Sequence, residues 1–102
     1  MFNPQMMQNF NKMKQDLKQV QDQVYQSTFY GQSGGSVVKV AIKGNKQVLS
    51  VDIDQEKIDV DDFDLIGDMV VAAMNDAIKK ADAELQSAIE SVTQGMNVPG
   101  LF

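Results

Sequence analysis

"SVVKVAIKGNKQVLSVDI", Ser36 to Ile53, decides the fold. Val38, Val40 and Ile42 alternate with Val37, Lys39, Ala41 and Lys43. After a break, Leu49, Val51 and Ile53 alternate with Val48, Ser50 and Asp52. A period of two belongs to strands with one covered and one wet face. Gly44-Asn45, between the runs, predicts a tight hairpin. Upstream, "STFY" (Ser27–Tyr30) is β-branched and aromatic, and Gly34-Gly35 joins it to the second run with residues that accept positive φ. The expectation is a three-stranded antiparallel meander over residues 27–53, with Lys39 and Lys43 on its wetter face.

On the N-terminal side, Met6, Phe10, Met13, Leu17, Val20 and Val24 recur at intervals of four and three, a heptad seam. Asn3 as cap and Pro4 at the first helical position suit the entry to a helix over 5–25. Its length would be roughly 30 Å. So narrow a seam needs one partner helix, from its own domain, from a second copy, or from both along different stretches. Phe10, Met13, Leu17, Val20 and Val24 are the expected dimer interface.

On the C-terminal side the charge changes abruptly. Asp52 to Asp64 holds seven acids and one Lys. Asp52, Asp54 and Glu56 have the alternate spacing of an EF-hand loop, but Lys57 stands where Gly must turn it and Phe63 where the bidentate Glu belongs. No metal site is expected in this loop, 54–62. Asp59, Asp61, Asp62 and Asp64 instead precede or open a helix, where carboxylates cap free N–H groups and favour the positive end of the dipole. That helix, 63–92, carries a stripe of Ile66, Val70, Ala73, Ala77, Ala81, Leu85, Ala88 and Val92. At roughly 45 Å it is longer than such a sheet is wide, so its C-terminal part should overhang or meet another subunit. Residues 93–102, with Gly95, Pro99 and Gly100 and no periodicity, form an expected mobile tail.

With 102 residues, one α+β domain (1–92) and its tail account for the chain. There is no Cys, His, Trp or Arg; all nine basic residues are Lys. This removes His acid–base catalysis, Cys nucleophiles and His/Cys metal sites. The carboxylates cluster with no basic or nucleophilic neighbour, and "GQSGGS" precedes a strand, so it has no helix dipole to offer a phosphate. Neither an enzyme, nor a cofactor, nor a small-molecule substrate is expected. No apolar run approaches the roughly 20 residues of a membrane span. "MFNPQMMQNF" has neither a basic start nor an apolar block, so it does not read as a signal peptide, and a cytoplasmic location is expected.

The net charge of −5 is unevenly spread. Residues 31–51 sum to +3, residues 1–30 to +1, residues 52–64 to −6 and residues 65–102 to −3. Charges beyond about 8 Å from a phosphate are largely screened at physiological salt. A local lysine cluster can therefore release counterions from DNA while the acids lie elsewhere. Lysine charges and backbone N–H groups position a protein on DNA but specify little sequence. The candidates are Lys12, Lys14, Lys39, Lys43, Lys46, Lys79 and Lys80. Asp76, four residues before Lys80, should partly neutralise it, and Asp22 does the same for Lys18. Phe29 and Tyr30 are of the type that stacks on bases, although sheet core or dimer seam is their expected place.

Two stretches, "SGGSVVKVAIKGNKQVLSVDID" and "DLIGDMVVAAMNDAIKKADAEL", together with the Met/Gln-rich first helix and the "GMNVPG" tail, resemble the YbaB/EbfC family of bacterial nucleoid-associated proteins over nearly the whole chain. The resemblance implies a tweezer-like homodimer with helices projecting from a sheeted body. It also implies DNA binding with little sequence preference, a changed DNA conformation, and roles in nucleoid organisation and gene regulation. Two departures stand out. Ser36 replaces the third Gly of "SGGG", a change expected to be harmless at a strand start. Lys79-Lys80 replaces an Arg-Lys pair, keeping charge but losing the guanidinium fork. The competing function is a protein-interaction adaptor acting through the N-terminal helix seam. Seven Met residues and the acidic charge would suit a basic protein partner.

Overall fold

A computed structural model describes residues 3–59 and 61–94. The order is α1 (Pro4–Gln26), β1 (Thr28–Ser33), β2 (Val38–Lys43), β3 (Val48–Ile53) and α2 (Phe63–Thr93). The strands form one antiparallel sheet in the order β1-β2-β3. The α+β class and the meander are therefore as the alternation implied.

The alternation of β2 sets the core. Val38, Val40 and Ile42 are fully buried and pack against Ala73, Ala77 and Ala81 of α2. Each such side chain contributes about 1.5–3 kcal/mol when withdrawn from water. The small alanines let α2 lie very close to β1. A Cβ on Gly31 would strike the carbonyl oxygen of Ala73 and the backbone nitrogen of Ala77. Ser33 Oγ donates to the Met69 carbonyl at 2.6 Å, so β1 is held along α2 by backbone as well as side chains.

The overhang of α2 meets α1 of the same chain. Val20, Gln23, Val24 and Ser27 face Glu84, Ser87, Ala88 and Ser91 across a shallow cleft. Met13 and Val24 are buried, and Leu17 and Val20 half-buried, within the single chain. The seam expected at a dimer interface is thus occupied internally at Met13 and Val24, and of its five residues only Phe10 is left exposed. The helix pair extends the molecule to 67 × 21 × 16 Å. Asn3 caps α1, its Oδ1 accepting from the Met6 N–H at 2.7 Å, and Pro4 occupies the first turn.

Two turns differ from expectation. Gly44-Asn45 is not a two-residue hairpin. The Lys43 N–H bonds the Gln47 carbonyl at 2.8 Å, and Lys46, not Gly44, takes a positive φ of 76°. Gly44 is required for another reason: a Cβ there would collide with the Val24 carbonyl at the end of α1. Its N–H donates to the Ser27 carbonyl at 2.9 Å, and that of Asn45 to the Tyr25 carbonyl at 3.2 Å, so the hairpin tip satisfies acceptors left open where α1 ends. In the β1–β2 turn, Gly34, Gly35 and Ser36 all have positive φ, at 61°, 65° and 75°. Ser36 is therefore not a harmless strand start; it sits where a Cβ is penalised. Its Oγ donates to Gln32 Oε1 at 2.6 Å, a partial offset.

The acidic segment organises its own backbone. Asp54 Oδ1 accepts from the Glu56 N–H at 3.1 Å, Asp59 Oδ1 from Asp61 N–H at 3.0 Å, and Asp62 caps α2 through the Leu65 N–H at 3.1 Å. These are the capping roles that short acidic side chains before a helix perform. Thr93 still belongs to α2; from residue 95 onward the expected mobile tail lies outside the described residues.

Candidate nucleic-acid interface

The seven candidate lysines divide by what holds them. Lys46 Nζ lies 2.7 Å from Asp82 Oδ1, across 36 residues of sequence. Lys80 Nζ lies 3.2 Å from Asp76 Oδ2 and donates to the Tyr30 carbonyl at 3.0 Å. Both ammonium groups are locally neutralised. Among the described residues no ion pair engages Lys12, Lys14, Lys39, Lys43 or Lys79, and none joins Lys18 to Asp22.

The five uncommitted lysines do not form one patch. Lys12 and Lys14 lie exposed on α1, with Lys14 Nζ 5.7 Å from the centre of the Phe10 ring. Lys39 and Lys43 share the outer face of β2, the face turned away from α2. Lys79 lies exposed on α2. Phe29 packs against the core, as expected. Tyr30 does not: it stands on the outer sheet face, 67% exposed.

Asp76 organises the β1 edge. Its Oδ2 accepts from the Gln32 N–H at 3.0 Å while also pairing with Lys80. The Gln32 bond, then Lys80, holds its carboxyl below the usual value of 3.8. Together Asp76 and Lys80 engage one free donor and one free acceptor of the edge strand, at Gln32 and Tyr30. Only the Asp76–Lys80 spacing could be read beforehand; the reach to β1 and the Lys46–Asp82 pair join residues distant in sequence.

The model of the YbaB/EbfC DNA-binding family matches residues 1–96. The chain belongs to that family. It is 36% identical over 97 residues to a nucleoid-associated protein of Caldanaerobacter subterraneus subsp. tengcongensis, covering 95% of this chain and 87% of the relative. A nucleoid-associated protein of Exiguobacterium sibiricum is 41% identical over 87 residues, covering 85% of this chain and 82% of the relative. The crystal structure of an uncharacterized Helicobacter pylori protein superposes with a TM-score of 0.67 at 18% identity, covering 85% of this chain and 92% of that one, and shares the fold. The family is one of DNA-binding proteins, not of enzymes.

Proposed function

We propose that this protein is a nucleoid-associated protein that binds DNA through lysine charges, with little sequence preference, and alters its conformation as a dimer. Family membership and the names of its relatives support the DNA-binding role and a place in the cytoplasmic nucleoid. The observation that carries the chemistry is the division of the lysines. Lys12, Lys14, Lys39, Lys43 and Lys79 keep their charge open, while Lys46 and Lys80 are held by carboxylates. With no Arg in the chain, contacts to phosphate would position DNA without reading its bases.

The dimer is supported by an unfinished apolar face. α2 covers β1 and β2 but leaves β3 bare: Val51 and Ile53, opposite buried Val40 and Val38, are exposed at 41% and 37%, and a register shift brings exposed Val48, where the alternation put Leu49, opposite Ile42. Leu65 and Val71 of α2 are exposed too. A second copy that brings its own α2 beneath β3 would cover both sets, and two-fold symmetry makes the contact reciprocal. With the β1 edge engaged at Tyr30 and Gln32 by Lys80 and Asp76, β3 is the freer side for association. A dimer would then carry two α1–α2 arms, giving one duplex two points of contact and a means of bending. Genome-scale roles in nucleoid organisation and gene regulation follow from such binding. The adaptor alternative loses the seam at Met13 and Val24, which are buried within the chain, and keeps Met6 and Phe10.

Gel retardation of a duplex at low and physiological salt tests the reading. Retardation that fades as salt rises is expected; no retardation even at low salt would overturn it.

A further inference from the structure

The outer face of the sheet has no helix on it. It presents Tyr30 and Gln32 of β1, Lys39, Ala41 and Lys43 of β2, and Ser50 and Asp52 of β3. Tyr30 pairs directly with Ala41, so Lys39 and Lys43 are its two diagonal neighbours on β2. Side chains at diagonal positions of this kind lie about 7–8 Å apart. Ala41, itself buried, lies between the two lysines, whose Cα atoms are about 13 Å apart along the strand. Tyr30 is 67% exposed although it stands in the middle of a strand. Burial does not explain it, and its hydroxyl has no hydrogen-bond partner among the described residues.

We propose that this face holds an unpaired nucleic-acid strand, with Tyr30 stacking on a base and Lys39 and Lys43 taking phosphates on either side. The inference rests on the DNA-binding reading and extends it from duplex to single strand. A duplex hides its base faces in the stack, so an exposed ring on this face can stack only on bases that are open; every base offers a π-face, and sequence is immaterial. Charge complementarity favours this occupant over a neutral one. Asp52 stands opposite Lys39; Asp54, which lines the same shallow cleft, is paired with Lys57 at 3.7 Å, and Asp76 at the β1 edge with Lys80. The face is also opposite to the one proposed for the second copy, so dimerisation would leave it open.

The test uses the full chain carrying Tyr25→Phe, which leaves Tyr30 as the sole strong fluorophore because there is no Trp. Oligothymidylate of about 16 nucleotides, the upper end of common single-strand site sizes, is compared with a blunt duplex of the same length. The oligonucleotide should quench Tyr30 emission. With affinity read by gel retardation of the labelled oligonucleotide or duplex, which needs no tyrosine, Tyr30→Ala should weaken oligonucleotide binding on the order of tenfold and leave duplex binding unchanged, while Tyr30→Phe should retain both. Circular dichroism confirms folding, which truncation of an exposed side chain should spare. If Tyr30→Ala weakens neither ligand, or both equally, or if Tyr30→Phe binds as poorly as Tyr30→Ala, the stacking site is wrong while the duplex reading stands. If wild type fails to bind duplex even at low salt, it is the DNA-binding reading that fails.

Discussion

The carboxylate of Asp76 accepts a 3.0 Å hydrogen bond from the backbone N–H of Gln32, tying the middle of α2 to the free edge of β1. The same carboxylate holds Lys80, which reaches back to the Tyr30 carbonyl. One acid thereby engages a strand edge, anchors a helix and pairs with a surface lysine.

Asp76→Asn should lower stability at neutral pH, because the Gln32 and Lys80 bonds favour the ionised form. The folded-state pKa lies below that of the unfolded chain. The contribution is therefore present above the ordinary value of 3.8 and lost as pH falls through the lower folded value. Urea denaturation at pH 7 and pH 3 checks this: the gap between wild type and variant should be wide at pH 7 and narrower at pH 3.

Ser36→Gly should stabilise the fold. Ser36 has a φ of 75°, and relieving a left-handed non-glycine residue is worth about 1 kcal/mol. Some of this offsets the lost bond to Gln32. Thermal unfolding should shift upward by a few degrees, about 4 °C per kcal/mol or more for a domain of this size.

Gly31→Ala should be strongly destabilising, by about 3 kcal/mol or more, because its Cβ would meet backbone rather than a movable side chain. Denaturant titration against Gly35→Ala separates space from backbone strain: Gly35 has open space around it and a φ of 65°, so its loss should be smaller.

Val51→Asp should dissociate the proposed dimer while leaving the chain helical, since Val51 faces solvent on the single chain. Sedimentation should show a single-chain mass for the variant and twice that for wild type. Met13→Asp should instead unfold, because Met13 is buried inside one chain.

Much of the fold was legible because its signals are local. Alternation placed the strands, Asn3-Pro4 opened α1, and the alanine stripe gave the face of α2 that meets β2. What was not legible depends on which surfaces meet. The α1 seam has the same 3.5-residue period whether α2 or another copy fills it. Alternation separates Phe29 from Tyr30 but does not say that the outer face of the sheet carries no helix. Gly44 reads as a turn glycine, yet its requirement comes from Val24, twenty residues earlier in the chain. Lys46 reads as an unopposed charge because Asp82, 36 residues away, is invisible to any local window.

The division of the lysines is tested most directly by duplex affinity measured across salt concentration for wild type, Lys39→Ala/Lys43→Ala and Lys46→Ala/Lys80→Ala. Each phosphate contact contributes about −0.9 to the slope of log K against log salt. Loss of Lys39 and Lys43 should make the slope shallower by about 1 to 2 per chain, and loss of Lys46 and Lys80 should leave it as in wild type. A slope unchanged by the first pair, or flattened as much by the second, would contradict the assignment.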